Sequence, residues 1–389
     1  MNEKINLGMI GFGNIGYMYC EHIARGDMKF VNLAAICETR ETNRDLAKSM
    51  YPNVPVFETA EEMMDSGVID SVMVATPHFG HVPLTKTALS KGLHVLCDKP
   101  AGVYTKEVLE MNAAAKGSDK VFAMMLPLRT AAVFKTVKRL IDDGQLGHIK
   151  KIIWIVTDWY RSEAYHMSSS WRSSWRGEGG SLIMNQCPHN LDMWQWLFGM
   201  PDRLVSYCGW GKYYDIECDD DATVFFEYDN GTTGIFTSST GETPGTNRLE
   251  ISCDNGKVIV ENGKIEFFRN EISEREFCEK NRKPFTKPIS WRCEVPPKGS
   301  KRGGDALIMD NFAEAILREK PLIARGEEGI NELTIANAVY LSDWLGNIKI
   351  DLGNFDHELY HKMLSEKMEN SVVRDFSNYI VEEDDWDEM

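Results

Sequence analysis

Three groups of residues in this chain have the types and spacing to do chemistry together. Lys99 closes the apolar run His94-Val95-Leu96-Cys97 in HVLCDKPAG. A buried ammonium is costly unless its charge is used, and there it could orient a hydroxyl or stabilise a developing alkoxide. Asn185, His189 and Asp192 are spaced i, i+4, i+7 in NQCPHNLDMWQW, one stripe if the segment is a single helix. An imidazole framed by an amide and a carboxylate suits proton transfer near neutrality, since its reference pKa is about 6.5. Upstream, DWYRSEAYHMSSSWRSSWRGEGG is rich in Trp, Tyr, Arg and Ser without apolar periodicity. Such residues stack on sugar faces and hydrogen-bond to hydroxyls. Tyr160, Trp171, Arg172 and Arg176 are therefore substrate candidates, beside Lys99, Asn185 and His189.

Positioning these groups requires strand ends that converge. Ile5 to Gly11 reads as a short strand, followed by the turn Gly11-Phe12-Gly13-Asn14-Ile15-Gly16 and a helix closing at Gly26. That order matches the dinucleotide-binding fingerprint. Gly11 permits the tight turn, Gly13 lets backbone N–H groups approach a pyrophosphate, and Gly16 lets the helix lie against the strand. A second strand, VNLAAICE, ends in Glu38, about 20 residues beyond the last glycine, where a carboxylate accepts hydrogen bonds from a ribose diol. Glu38 favours NAD over NADP; Arg40 nearby is the opposing signal.

Helices at 42–50, 59–66, 80–91 and 104–116 alternate with the strands DSVMVATP, HVLCDKP and KVFAMML, which predicts a doubly wound parallel sheet with right-handed crossovers. Thr76, Pro77, Lys99 and Pro100 then share the carboxyl edge with the glycine turn, flanking the nicotinamide half of a dinucleotide. In PHFGH, His81 is favoured over His78 as a cofactor-site residue. After a helix near 130–143 the pattern changes to strands separated by turns such as Asn230-Gly231, Asn255-Gly256 and Asn262-Gly263, which predicts a large, mainly antiparallel sheet. Residues 270–303 read as an irregular polar excursion, and helices follow at 304–319 and 327–346. The expected division is 1–127 (dinucleotide-binding), 128–355 (substrate-binding and oligomerising α/β unit) and 356–389 (a helix and an acidic tail).

Composition narrows the function classes. A net charge of −16 opposes a nucleic-acid partner. Nine scattered cysteines without a CxxC pair predict reduced thiols and no metal site. The absence of a long apolar run or a basic leader predicts a cytoplasmic protein with no membrane segment.

With these residues assembled, the sequence resembles the Gfo/Idh/MocA family of sugar and cyclitol oxidoreductases. The matching pieces are MIGFGNIG, VATPHFGHVPLTKTALSKGLHVLCDKPAG, LRTAAVFKTVKRLIDDGQLGHI and GEGGSLIMNQCPHNLDMWQWLFG. The resemblance implies an N-terminal Rossmann domain, a C-terminal α/β domain whose open sheet serves homo-oligomerisation, and hydride transfer between a sugar carbon and a nicotinamide. By position, Lys99 corresponds to the lysine of the family's EKP motif, with Asp98 in place of glutamate, and His189 to the histidine of its DxxxH pair. Asn185 stands where many members have aspartate; an amide hydrogen-bonds but carries neither proton nor charge. Arg129, in LPLRT, corresponds to the family's arginine and joins the substrate set. NQCPHNLDMWQW after SSWRGEGG is similar to a subgroup that oxidises the C3 hydroxyl of glucosides. The expectation is NAD-dependent oxidation of such a hydroxyl, with the proton passing to His189 and Lys99 assisting. The alternatives are an inositol dehydrogenase, a redox-neutral catalyst with tightly held NAD, and a non-catalytic sugar sensor.

Overall fold

The computed structural model describes residues 3–299 and 303–372; the acidic end, EEDDWDEM, lies outside them. The first sheet comprises β1 (Ile5–Ile10), β2 (Val31–Cys37), β3 (Val56–Phe57), β4 (Ser71–Val74), β5 (His94–Cys97) and β6 (Phe122–Met124). Their order is β3-β2-β1-β4-β5-β6, and every pairing is parallel. Ser71 to Val74 is buried at every position, as a strand covered on both faces must be. The crossovers are α1 (Asn14–Arg25), α2 (Glu41–Met50), α3 (Ala60–Asp65), α4 (His81–Ser90) and α5 (Thr105–Lys116). Strand order reverses between β1 and β4, so a crevice opens beyond their carboxyl ends, where such sheets bind ligands.

α6 (Ala132–Asp142) leads into the second sheet, made of β7 (Ile149–Val156), β8 (Arg203–Trp210), β9 (Asp219–Glu227), β10 (Thr233–Ser239), β11 (Asn247–Cys253), β12 (Gly256–Glu261), β13 (Lys264–Asn270), β14 (Ser290–Val295) and β15 (Ile350–Asp351). The order is β14-β13-β12-β11-β7-β10-β9-β8-β15. β7 is inserted between two antiparallel runs and pairs parallel with β10 and antiparallel with β11. Hairpin chemistry is local: Asn262 and Gly263 both have positive φ, and Glu261 pairs with Lys264 across them, the geometry of a two-residue turn. The fold is thus an N-terminal Rossmann domain with a C-terminal α/β domain bearing a mainly antiparallel sheet.

One face of that sheet is covered by helices. α7 (Glu163–Met167) lies in the aromatic segment, and α8 (Pro188–Phe198) buries Trp194 against Phe226 of β9. Residues 270–303 depart from the irregular reading. They include α9 (Glu274–Lys280) and the edge strand β14, which pairs with β13. β14 joins through backbone hydrogen bonds with Trp291 exposed, so apolar patterning did not mark it. α10 (Asp305–Arg318) falls within 128–355 in sequence but packs on the first sheet. Its Asp310 accepts from the N–H groups of Lys29 (2.8 Å) and Phe30 (3.0 Å), and Ile308, Met309 and Phe312 bury against β1 and β2. α11 (Gly329–Trp344) and α12 (His357–Glu369) close the described chain.

Candidate active site

The glycine turn is shaped for a dinucleotide. Gly11 has φ +99°, and a Cβ there would strike the Ala75 carbonyl; a Cβ on Gly16 would strike the Gly11 carbonyl. A Cβ on Gly13 would meet the Arg40 guanidinium at 3.7 Å, so its backbone faces open space at the start of α1, where phosphate binds. Asn14 and Ile15 are exposed beside it. Phe12, expected in the cofactor set, turns its ring into the core, and its N–H donates to Glu38 Oε2 (2.9 Å). Glu38 Oε1 accepts from the Arg40 N–H (2.8 Å). The turn is therefore latched to the end of β2, with Glu38 and Arg40 both beside it. Thr76 follows β4 with its hydroxyl buried and without a hydrogen-bond partner among the described residues. These residues fit the adenosine and pyrophosphate of a nicotinamide dinucleotide.

Lys99 emerges from β5 half-buried. Its ammonium donates to the backbone carbonyl of Asn185 (2.6 Å) and to Asn185 Oδ1 (3.0 Å). An ammonium has three N–H donors, so one remains for a substrate oxygen. Burial lowers the Lys99 pKa from its ordinary value, while Asp98 and Glu178 oppose the shift. Asp98 Oδ1 accepts from the Lys99 N–H (2.7 Å), and burial pushes its carboxyl up to about 6.

Asn185 and His189 do not share one straight helix. Leu182–Gln186 form a π-helical turn, and α8 begins at Pro188, since proline lacks the N–H a continuous helix would need and fits the first helical position. Buried Asp219 of β9 holds the turn, accepting from the N–H groups of Ser181 (2.9 Å) and Ile183 (2.7 Å) and from the Tyr340 hydroxyl (2.6 Å). His189 sits at the start of α8, partly exposed, with Nδ1 buried and unpartnered among the described residues. Burial first, and then the Lys99 cation, pushes its pKa down to about 3. The electropositive helix N-terminus acts in the same direction. At neutral pH the imidazole is uncharged with its lone pair available, and its basicity lies well below the near-neutral value expected from the sequence, because burial and Lys99 disfavour the imidazolium and Asp192 is bound by Arg129 instead.

Residues 5–126 match the family described as "Oxidoreductase family, NAD-binding Rossmann fold", and residues 134–259 match "GFO/IDH/MocA C-terminal domain". The chain belongs to the Gfo/Idh/MocA oxidoreductases. Among curated members, it is 29% identical over 208 residues to the Escherichia coli oxidoreductase YdgJ, covering 53% of this chain and 57% of YdgJ. The Bacillus subtilis scyllo-inositol 2-dehydrogenase (NADP(+)) IolW is 23% identical over 363 residues, covering 86% of this chain and 93% of IolW. The chain thus spans little more than half of YdgJ but nearly all of IolW. In fold, it resembles the WlbA dehydrogenase of Bordetella pertussis, solved with NADH and UDP-GlcNAcA. The TM-score is 0.75 at 22% identity over 91% of this chain and 100% of that one.

Within this Gfo/Idh/MocA frame, several expected site residues have other employment. Arg129 is buried, donating through Nε (2.9 Å) and Nη2 (2.6 Å) to both oxygens of Asp192 and through Nη1 to Glu328. It ties the end of β6 to α8 and takes Asp192 off the His189 stripe, because a buried guanidinium needs its carboxylates. His81 is buried with both ring nitrogens on carbonyls, Pro100 (2.6 Å) and Thr76 (2.8 Å); it braces two strand ends and has no nitrogen left for a cofactor. His78 instead reaches the site segment, with Nδ1 on the Glu178 carbonyl (2.9 Å) and its ring edge-on to Trp171. Arg176 is exposed and caps α12 through the Met368 carbonyl (3.2 Å), which completes the orphan carbonyls of a helix end. Tyr160 is 46% exposed. Arg172 stays with the site, donating to the Tyr165 hydroxyl (2.7 Å) and lying over the rings of Tyr165 and Trp171.

The sequence reading missed Tyr165 and Glu178. The Tyr165 oxygen receives Asn185 Nδ2 (3.1 Å), Gln186 Nε2 (2.6 Å) and Arg172 Nη1 (2.7 Å). Glu178 is buried beside Asn185, with its carboxyl pushed up to about 7, chiefly by burial. The available signal was a carboxylate in the otherwise acid-poor stretch around Arg172 and Arg176.

Proposed function

We propose that this oxidoreductase oxidises a secondary hydroxyl of a sugar or glycoside, preferentially the C3 hydroxyl of a glucoside, with NAD as acceptor. The observation that carries this reading is the pairing of Lys99, bound to a neutral amide and holding a spare N–H, with the uncharged His189 at the carboxyl edge of the dinucleotide cradle. NAD+ held in that cradle supplies the hydride acceptor at the oxidised carbon. Lys99 orients the hydroxyl and stabilises the developing alkoxide. His189 takes the hydroxyl proton as general base, which requires an approach of about 3 Å. Trp171 and Arg172 offer a stacking face and donors for the ring hydroxyls. IolW and WlbA, named for or solved with ring polyols, support the substrate class.

NAD over NADP rests on the Glu38 carboxylate beside the turn, which opposes a 2′-phosphate; Arg40 is the residue working against it. We also propose a cytoplasmic homo-oligomer; light scattering tests the oligomeric state and cell fractionation the location. The functional test is NADH formation at 340 nm with NAD+ or NADP+ across a panel of glucosides and inositols. Turnover of glucosides with NAD+ is expected; inositol turnover with silence on every glycoside would refute the glycoside reading.

A further inference from the structure

Lys99 Nζ is bonded to the carbonyl and the neutral amide of Asn185, so among the described residues no carboxylate sits directly on its ammonium. The geometry points to Glu178 as the carboxylate that serves Lys99 at one remove: it acts through the Asn185 amide to hold Lys99 charged and aimed, which makes it a positioning residue of the site.

The two ends of the Asn185 side chain are fixed by what they face. Oδ1 accepts from the Lys99 ammonium (3.0 Å), and Nδ2 donates to Glu178 Oε1 (2.5 Å). Turning the amide over would set N–H against ammonium and carbonyl against carboxylate, two mismatched pairs, so the environment assigns the orientation. The chain from ammonium to amide to carboxylate runs in one direction, and each bond polarises the next. Glu178 is itself held, since Oε2 accepts from the Ser173 N–H (2.5 Å) and its backbone carbonyl accepts from His78. Glu178 therefore has hydrogen bonds from three segments and little freedom to relax.

The other charged and titratable groups around this pair do not replace it. Burial pushes the Glu178 carboxyl up to about 7, while Arg172, the Ser173 N–H, the Asn185 amide and Lys99 oppose that rise, so it is an anion above that pH; Tyr165 lies across the Asn185 amide. Lys99 faces Asp98, Glu178, Arg172 and Glu332, and its charge bears on His78, His81, Cys187 and His189. Glu332 is pushed up to about 8 by burial and so is protonated at pH 7. Asp98 adds negative charge but is bonded to the Lys99 backbone N–H, so it does not aim the ammonium. Glu178 is joined to the ammonium by hydrogen bonds through Asn185.

The catalytic consequence rests on the function proposed above, but the relay itself can be read without turnover. Competitive acetylation of Lys99 against pH, followed by peptide mass spectrometry on the full chain, gives its apparent pKa. In Glu178→Gln it should fall by about one unit, the size of one lost opposite charge. Asn185→Ala, which cuts the relay with Glu178 in place, should produce the same fall and carries the test if Glu178→Gln does not fold. The double variant Glu178→Gln/Asn185→Asp should restore the wild-type value by placing the carboxylate directly on Lys99. The alkaline limb of kcat/KM should move with these values. A wild-type Lys99 titration in folded Glu178→Gln or Asn185→Ala, or no restoration in the double variant, overturns the relay. A shifted Lys99 titration in a protein that oxidises no sugar leaves the relay standing and removes the functional reading instead.

Discussion

Two cations stand at neighbouring strand ends, Lys99 after β5 and Arg129 after β6, and both meet the segment that runs from the π-turn into α8. Arg129 is clamped by Asp192 and Glu328 and is fully buried, and those carboxylates raise its pKa above the ordinary value. Lys99 meets a neutral amide, is half-buried and is shifted downward. Glu332 of α11 senses both centres, through Asp192 on one side and Lys99 on the other. The contrast separates structure from chemistry. A cation neutralised by two carboxylates has little field left for a ligand, whereas one on an amide keeps its charge available.

The sharpest way to break this contrast is Arg129→Ala. It strands Asp192 in the interior and should cost about 3–5 kcal/mol of unfolding free energy, measured by urea denaturation. A stable Arg129→Ala enzyme that lost only turnover would exchange the two roles. Lys99→Ala should do the reverse, lowering kcat by about 10² or more with little change in urea midpoint, and His189→Ala should lower kcat by a similar factor. Fully active His189→Ala would remove its assignment as base.

A smaller effect sharpens the comparison through Glu332. Its folded pKa, about 8, is raised from the ordinary 4.5, so between those values the folded state holds a proton that the unfolded state releases. The Glu332 contribution to wild-type stability should therefore fall as pH rises from 4.5 to 8 and level off above. Glu332→Gln removes that component, so its stability relative to wild type should climb across the same window. A pH-independent difference would mean that Glu332 is ionised at neutrality and that Lys99 has a carboxylate partner after all.

What could be read from the chain follows locality. The glycine turn, the strand ending at Lys99 and the Asn-Gly hairpins are specified by neighbours in sequence, and they appear where expected. The spacing of Asn185 and His189 predicts one helix, but Pro188 starts a new one and a π-turn redirects Asn185. Arg129 and Asp192 are 63 residues apart, and no periodicity announces such a pair. Glu178 reads as part of a glycine-rich loop until its burial beside Asn185 is known. α10 returns to the first sheet through Asp310 and β14 joins the second through backbone pairing, two tertiary decisions that local pattern does not encode.

The central claim, hydride removal from a sugar carbon served by Lys99 and His189, is tested most directly with a glucoside deuterated at C3 and NAD+. The label should appear on the reduced nicotinamide, read by mass spectrometry, and Lys99→Ala and His189→Ala should slow its transfer. NADH formed without deuterium would place oxidation at another carbon, and no labelled or unlabelled NADH from any glycoside would contradict the account.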